Sequence, residues 1–226
     1  MDETQSQDFA AQRARMVAEV DAMYAETRSE TGLAAMSAPV RRALGKVERH
    51  RLIPAAHLGA AYRNHPLSIG SGQTISQPYI VALSTDLMNL QGGETVLDIG
   101  TGSGYQAAVL AEIASRVFSI EIIPSLGEEA RKRLEALGYG NIEIKIGDGY
   151  KGWPEKAPFD AIVVTAAAPS VPQALLDQLK PGGRLVIPVG SGWETQYLKL
   201  ITKRADGGFD EKRVLPVRFV PLVPGK

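Results

Sequence analysis

An apolar run that carries an acid and passes at once into three alternating glycines limits this chain more than any other feature. The run is Thr95-Val96-Leu97-Asp98-Ile99, followed by Gly100-Thr101-Gly102-Ser103-Gly104-Tyr105. Val96, Leu97 and Ile99 suit a strand buried on both faces, as in a parallel sheet. The glycines let the chain turn tightly and bring its backbone close to a ligand. Residues 106–114 then have helical spacing, with Val109, Leu110 and Ile113 on one face. A strand, a glycine loop and a helix N-terminus in that order make a cradle for a nucleotide-like ligand at the carboxyl edge of the sheet.

The rest of the chain is read around that unit. Strands are expected at 116–122, 142–146, 159–165 and 184–189. Helices are expected at 124–137 and 172–179, the second stopped by Pro181-Gly182-Gly183. Two further strands, 197–203 and 214–220, flank a turn at Asp206-Gly207-Gly208. Upstream, helical patterns cover about 9–28, 37–47 (Ser37 as N-cap, Pro39 in the first turn) and 77–90. Residues 49–72, with Pro54, Pro66, Gly70 and Gly72, read as mostly loop. The expectation is one domain over 1–226: an α/β Rossmann-like sandwich at 95–226 with a helical annex and a further segment at 1–94.

Composition closes off several chemistries. The 226 residues include no cysteine, which removes disulfides, thiolate metal sites and cysteine nucleophiles. Twenty-five basic residues balance twenty-five acidic ones, so no bulk charge draws the chain to nucleic acid or an anionic membrane. No run approaches transmembrane length and the start is polar, so a cytoplasmic enzyme, acting as a monomer, is the expectation. His50, His57 and His65 have no metal-ligand spacing, and no metal is expected. Arg41, Arg42, Lys46, Arg49, His50 and Arg51 read as a solvated basic face, with steering of acidic peptides as the functional alternative. Trp153 and Trp193 read as packing residues, the Met16-Val20-Met23 stripe as core, and Tyr62 and Tyr79 as candidates to line a groove.

Two ligands compete for the glycine loop. Dinucleotides favour G-x-G-x-x-G, whereas the third glycine here comes one residue early. A G-x-G-x-G loop suits S-adenosylmethionine, which has no pyrophosphate but has an amino-acid end that needs backbone contact and a nearby acid. Asp98 can supply that acid, Glu121 at the next strand end can accept both ribose hydroxyls, and Asp148 can reach the adenine amino group. The bland alternative is that the three acids only cap turns. Their order at three successive strand ends favours a class I S-adenosylmethionine-dependent methyltransferase.

Further motifs carry a resemblance. Pro66-Leu67-Ser68-Ile69-Gly70-Ser71-Gly72-Gln73-Thr74-Ile75-Ser76-Gln77-Pro78, Val163-Val164-Thr165-Ala166-Ala167-Ala168-Pro169, Leu179-Lys180-Pro181-Gly182-Gly183 and Val217-Arg218-Phe219-Val220-Pro221-Leu222 closely resemble the protein-L-isoaspartate O-methyltransferase family. The resemblance implies methylation of the α-carboxylate of L-isoaspartyl residues in damaged proteins and peptides, with S-adenosyl-L-homocysteine as the second product. It implies Ser76 as the active-site residue, and Ile75, Ser76, Gln77, Ser103, Glu121, Asp148 and Gly149 as cofactor contacts. Asp98, Gly100, Thr101, Gly102 and Gly104 join them from the loop itself. Two positions depart from the family pattern. Leu52-Ile53-Pro54 stands where Phe-Val-Pro is common, and Val223 stands where some members have a threonine. A carboxylate is already ionised at neutral pH, so Ser76 is expected to orient it by a hydrogen bond rather than to attack. A same-fold methyltransferase acting on a small molecule or RNA, and a cofactor-binding module without turnover, are the rival readings.

Overall fold

The computed structural model describes residues 3–191 and 194–225, so Trp193 lies outside the described residues. Helices α1 (Glu3–Glu26), α2 (Arg28–Thr31) and α3 (Ala38–Lys46) precede a small hairpin, β1 (Leu67–Gly70) and β2 (Gln73–Ile75), and helix α4 (Pro78–Met88). Strand and helix then alternate: β3 (Thr95–Ile99), α5 (Tyr105–Ala111), β4 (Arg116–Glu121), α6 (Pro124–Ala136), β5 (Ile142–Ile146), β6 (Phe159–Val164), α7 (Gln173–Asp177) and β7 (Leu179–Val189). Strands β8 (Gln196–Lys203) and β9 (Phe209–Val217) complete the core.

Seven of these strands form one sheet in the order β5-β4-β3-β6-β7-β8-β9. The first five are parallel, and β8 and β9 continue as an antiparallel meander. β4 lies on one side of β3 and β6 on the other, so the chain order reverses at β3. That reversal is the switch point outside which open α/β sheets bind ligands, and the glycine loop leaves β3 there.

Both sheet faces are covered, as an all-parallel centre requires. Val96 belongs to the apolar cluster shared with α1, α3, α4, α5 and α6, whereas its neighbours Leu97 and Ile99 face the cluster around Phe118, Phe159 and α7. Trp153 packs edge-on against Phe118 in that second cluster. Met16, Val20 and Tyr24 bury one stripe of α1. Two polar staples then fix α1 to α4: the Tyr24 hydroxyl donates to Asp86 at 2.6 Å, and the Tyr79 hydroxyl bonds to Thr27. The Thr27 hydroxyl donates to the Met23 carbonyl, so Tyr79 is the donor in the second staple.

The sequence reading departs from the structure in four places. The segment read as loop, 49–72, contains β1 and a tight turn, and β2 follows directly after it, a hairpin hidden by the glycines and serine of that turn. β9 starts at Phe209 rather than near 214, because Asp210, Glu211, Lys212 and Arg213 are exposed on an edge strand and carry no apolar signal. Pro181-Gly182-Gly183 does not end an element; it is a bulge within β7, where pairing jumps from Phe159–Leu179 to Ala161–Arg184. The basic cluster is not uniformly solvated either. Arg41 and Lys46 pair with Asp21 and Glu112 at the surface, but Arg49 and His50 are buried.

Candidate active site

Two cavities open at the carboxyl edge of the sheet and share Thr74, Thr165 and Val220 in their walls. The smaller, about 110 Å³, is lined by Gly100, Gly102, Ile120, Glu121, Gly149 and the tail residues Pro221, Leu222 and Val223, among others. The larger, about 670 Å³, is a cleft between the annex and the end of the sheet. Its walls are Met23, Thr27 and Glu30 from the α1–α2 region, Ser76, Gln77, Tyr79 and Ile80 around the start of α4, and the strand-to-tail segment Leu215–Phe219.

The glycine loop is shaped by contacts that leave no room for a side chain. Gly100 has φ +98°, and a Cβ there would sit 2.5 Å from the Thr165 hydroxyl. That hydroxyl donates to the carbonyls of Gly100 (2.8 Å) and Ile99 (3.1 Å), pinning the end of β6 to the loop. Gly149, beyond β5, meets a similar limit, since its Cβ would lie 2.4 Å from Ile99 Cγ2. The backbone therefore comes close to the cavity from two sides.

Glu121, at the end of β4, is almost fully buried. One oxygen accepts the Gly102 N–H at 2.7 Å and the other accepts Ile123 N–H at 2.9 Å. A carboxylate has about four acceptor sites, so two backbone bonds leave capacity for a diol on the cavity side. Asp98 lies beneath the loop with no solvent exposure. Its Oδ2 accepts from the Ser119 hydroxyl at 2.7 Å, and that hydroxyl in turn bonds Thr101 Oγ1 at 2.6 Å. Oδ1 has no partner. Burial pushes the Asp98 carboxyl up to about 7, with the Ser119 hydrogen bond opposing and Glu121 adding to the rise. An unpaired carboxylate oxygen held in low dielectric is a strong acceptor for a cationic ligand group.

The expected residues thus fall into several positions. Gly100, Gly102, Glu121 and Gly149 line the small cavity, and Ser76 and Gln77 line the cleft. Ile75, Asp98, Thr101 and Ser103 are buried behind these walls, and Gly104 starts α5 at φ +89°. Asp148 caps the short turn after β5, accepting Tyr150 N–H at 2.9 Å, and packs against Gly225 of the tail. Of the two groove tyrosines, Tyr79 lines the cleft, whereas Tyr62 bonds His50 and Arg13 inside the annex. Leu52 and Ile53 are buried in the annex core and reach neither cavity. Val223 lines the small cavity.

Sequence reading missed Thr165 as a site residue. Its position directly after β6, beside the switch point, was the available signal. Met23, Thr27, Glu30 and Arg218 gave no local signal, because the cleft gathers them from opposite ends of the chain. Among the described residues Glu30 and Arg218 are the cleft's only charged side chains.

The donor set fits S-adenosylmethionine: an acid pair for a ribose and an ammonium, and a backbone with no room for side chains. A volume of 110 Å³ is below the roughly 300 Å³ of a pocket that encloses a small molecule, so such a ligand must extend toward the wider cleft.

Known proteins share this sequence and fold. Residues 20–226 match the family described as Protein-L-isoaspartate(D-aspartate) O-methyltransferase (PCMT). A Polaromonas protein named Protein-L-isoaspartate O-methyltransferase 2 is 55% identical over 207 residues, covering 92% of this chain and 98% of its own length. A Nitrosospira multiformis protein named Protein-L-isoaspartate O-methyltransferase 1 is 57% identical over 218 residues, 96% of this chain and 89% of its own. A solved protein-L-isoaspartate O-methyltransferase superposes with a TM-score of 0.78 at 29% identity, over 92% of this chain and 65% of the other. A Plasmodium falciparum structure, titled as a putative member in complex with S-adenosyl-L-homocysteine, superposes with a TM-score of 0.72 at 28% identity, over 83% and 91%.

Proposed function

Because this chain belongs to the protein-L-isoaspartate(D-aspartate) O-methyltransferase family, we propose that it moves a methyl group from S-adenosylmethionine to the α-carboxylate of L-isoaspartyl residues in damaged proteins. The observation that carries this reading is the junction of the two cavities at Thr74, Thr165 and Val220, with Ser76 on the cleft side. S-adenosylmethionine, when bound, supplies an electrophilic methyl on a sulfonium sulfur. Glu121 holds the ribose hydroxyls, and Asp98, beneath the loop, balances the ammonium of the amino-acid end. The Gly102 and Gly149 backbones would border the nucleoside, and Asp148 would hold its adenine side.

On the cleft side the substrate brings its own nucleophile. Ser76 donates a hydrogen bond to one carboxylate oxygen and leaves the other aimed at the junction. The cleft's mostly apolar walls remove water from that oxygen, which hydration would otherwise blunt. Arg218, on the lip, offsets the charge of the incoming carboxylate. No strong base is required, so alignment carries the acceleration, worth up to roughly 7–11 kcal/mol in ideal intramolecular cases. The methyl ester then closes to a succinimide without further help from the protein. We propose that the enzyme acts in the cytoplasm as a monomer.

Methyl transfer from labelled S-adenosylmethionine to a peptide with one L-isoaspartyl residue tests this, with the L-aspartyl peptide as control. Base-labile label on the isoaspartyl peptide alone is the expected result. Cofactor binding without transfer to either peptide would contradict it and favour a binding module.

A further inference from the structure

Among the described residues, the largest fully buried side chain is a cation. Arg49 has no solvent exposure and, among the described residues, makes no ion pair with a carboxylate. Its guanidinium instead donates to three main-chain carbonyls: Ala61, His65 at 3.2 Å and Ser76 at 3.2 Å. The Tyr105 ring lies 5.4 Å from Cζ, and that tyrosine opens α5 directly after the glycine loop. Arg49 Nε and the Tyr105 hydroxyl have no hydrogen-bond partners.

A charge buried without a counter-ion is costly and needs a reason. Lysine at such a place would shed its proton, whereas a guanidinium stays charged and presents its donors in a fixed planar fork. Three carbonyl dipoles and an aromatic face compensate the charge only if each is held in place, so the group works as a clamp. The carbonyl of Ser76 is the telling partner. It belongs to the Ser76–Gln77 peptide, the two-residue joint between β2 and α4, and both flanking side chains face the cleft. A peptide plane in so short a joint can rotate, and holding its carbonyl fixes ψ at Ser76 and so the backbone from which the hydroxyl projects.

We propose that Arg49 is a positioning residue for methyl transfer: it locks the Ser76–Gln77 peptide against the loop ending at His65 and against the first residue of α5. The Ser76 hydroxyl thereby keeps a fixed place relative to the glycine loop. This rests on the role assigned to Ser76 above.

The test is a double-mutant cycle on kcat with the isoaspartyl peptide, using Arg49→Lys, Ser76→Ala and the pair. Arg49→Lys is expected to lower kcat at least about tenfold while KM for S-adenosylmethionine stays within about threefold. In the Ser76→Ala background the same change is expected to cost almost nothing more, because the group being positioned is gone. Losses that multiply in the double variant would overturn the clamp and leave Ser76 its role, as would an Arg49→Lys enzyme with lowered Tm but full kcat. Normal turnover in Ser76→Ala alone would overturn both readings. If Arg49→Lys does not fold, Tyr105→Leu, which withdraws the ring from the same guanidinium, is carried through the same cycle and judged by the same outcomes.

Discussion

The two cavities of this protein are built in opposite ways. Half of the cradle below the glycine loop comes from one stretch of chain, β3 to the turn after β5, and the rest from Gln73–Thr74, Thr165–Ala166 and the tail Val220–Val223. The cleft beside it draws on Met23–Glu30, Pro66–Ile80, Thr165 and Leu215–Val220, so its walls come from opposite ends of the sequence. The acids and glycines proposed to recognise the cofactor thus lie close together in sequence. The proposed substrate cleft is held together by the Tyr24–Asp86 and Tyr79–Thr27 hydrogen bonds, which fasten α1 and the residue after it to α4. Changes in the cradle should alter cofactor affinity, and changes in the cleft should alter turnover or peptide KM.

The strongest break is expected at Gly100. Gly100→Ala sets a Cβ against the Thr165 hydroxyl at a positive φ and must displace the loop. Calorimetric titration should show S-adenosylmethionine affinity lowered at least about 100-fold, about 2.7 kcal/mol, with a lowered Tm. Unchanged affinity would remove the loop from the cofactor site. Next in size, Ser76→Ala should lower kcat about 10- to 100-fold, about 1.4–2.7 kcal/mol, with cofactor affinity within about threefold. A loss confined to cofactor affinity would move Ser76 from the cleft to the cradle.

A smaller effect follows from Asp98. Its folded carboxyl is raised by burial to about 7, well above an unfolded carboxyl. Between about pH 4 and 7 the folded chain keeps a proton that the unfolded chain has released, so this group makes stability fall as pH rises through that window. Ionisation of Asp98 favours the ligand's ammonium, so cofactor affinity should rise about tenfold from pH 6 to pH 8. Titrations at the two pH values check this, and Asp98→Asn should flatten both trends. Smallest of all, Val223→Thr offers a hydroxyl to the small cavity and should tighten cofactor binding by less than about fivefold with kcat unchanged. A change in peptide KM instead would place the tail in substrate recognition.

How far the sequence could be read follows the same division. Strand β3, its glycine turn and the acids Asp98, Glu121 and Asp148 were legible because a buried strand is an apolar run and a tight turn needs glycine. That Asp98 lies behind the loop rather than on the cavity wall was not legible, because period and motif say nothing about which face a side chain takes once both are buried. The β1–β2 hairpin was too short and too rich in glycine to show a period of two. β9 carries its charges on an exposed edge. Arg49 looked like one more surface cation in a basic run, and only the fold reveals that it is buried among carbonyls.

The two cavities are proposed to meet where the methyl group is transferred. A structure of the chain bound to S-adenosyl-L-homocysteine and an L-isoaspartyl peptide tests it most directly. The account predicts the sulfur at the junction of Thr74, Thr165 and Val220, and the α-carboxylate hydrogen-bonded to Ser76 with one oxygen facing that sulfur. The peptide should run along the wall formed by Met23, Thr27 and Leu215–Phe219. A peptide bound elsewhere, or a carboxylate turned away from Ser76 and the junction, would contradict it.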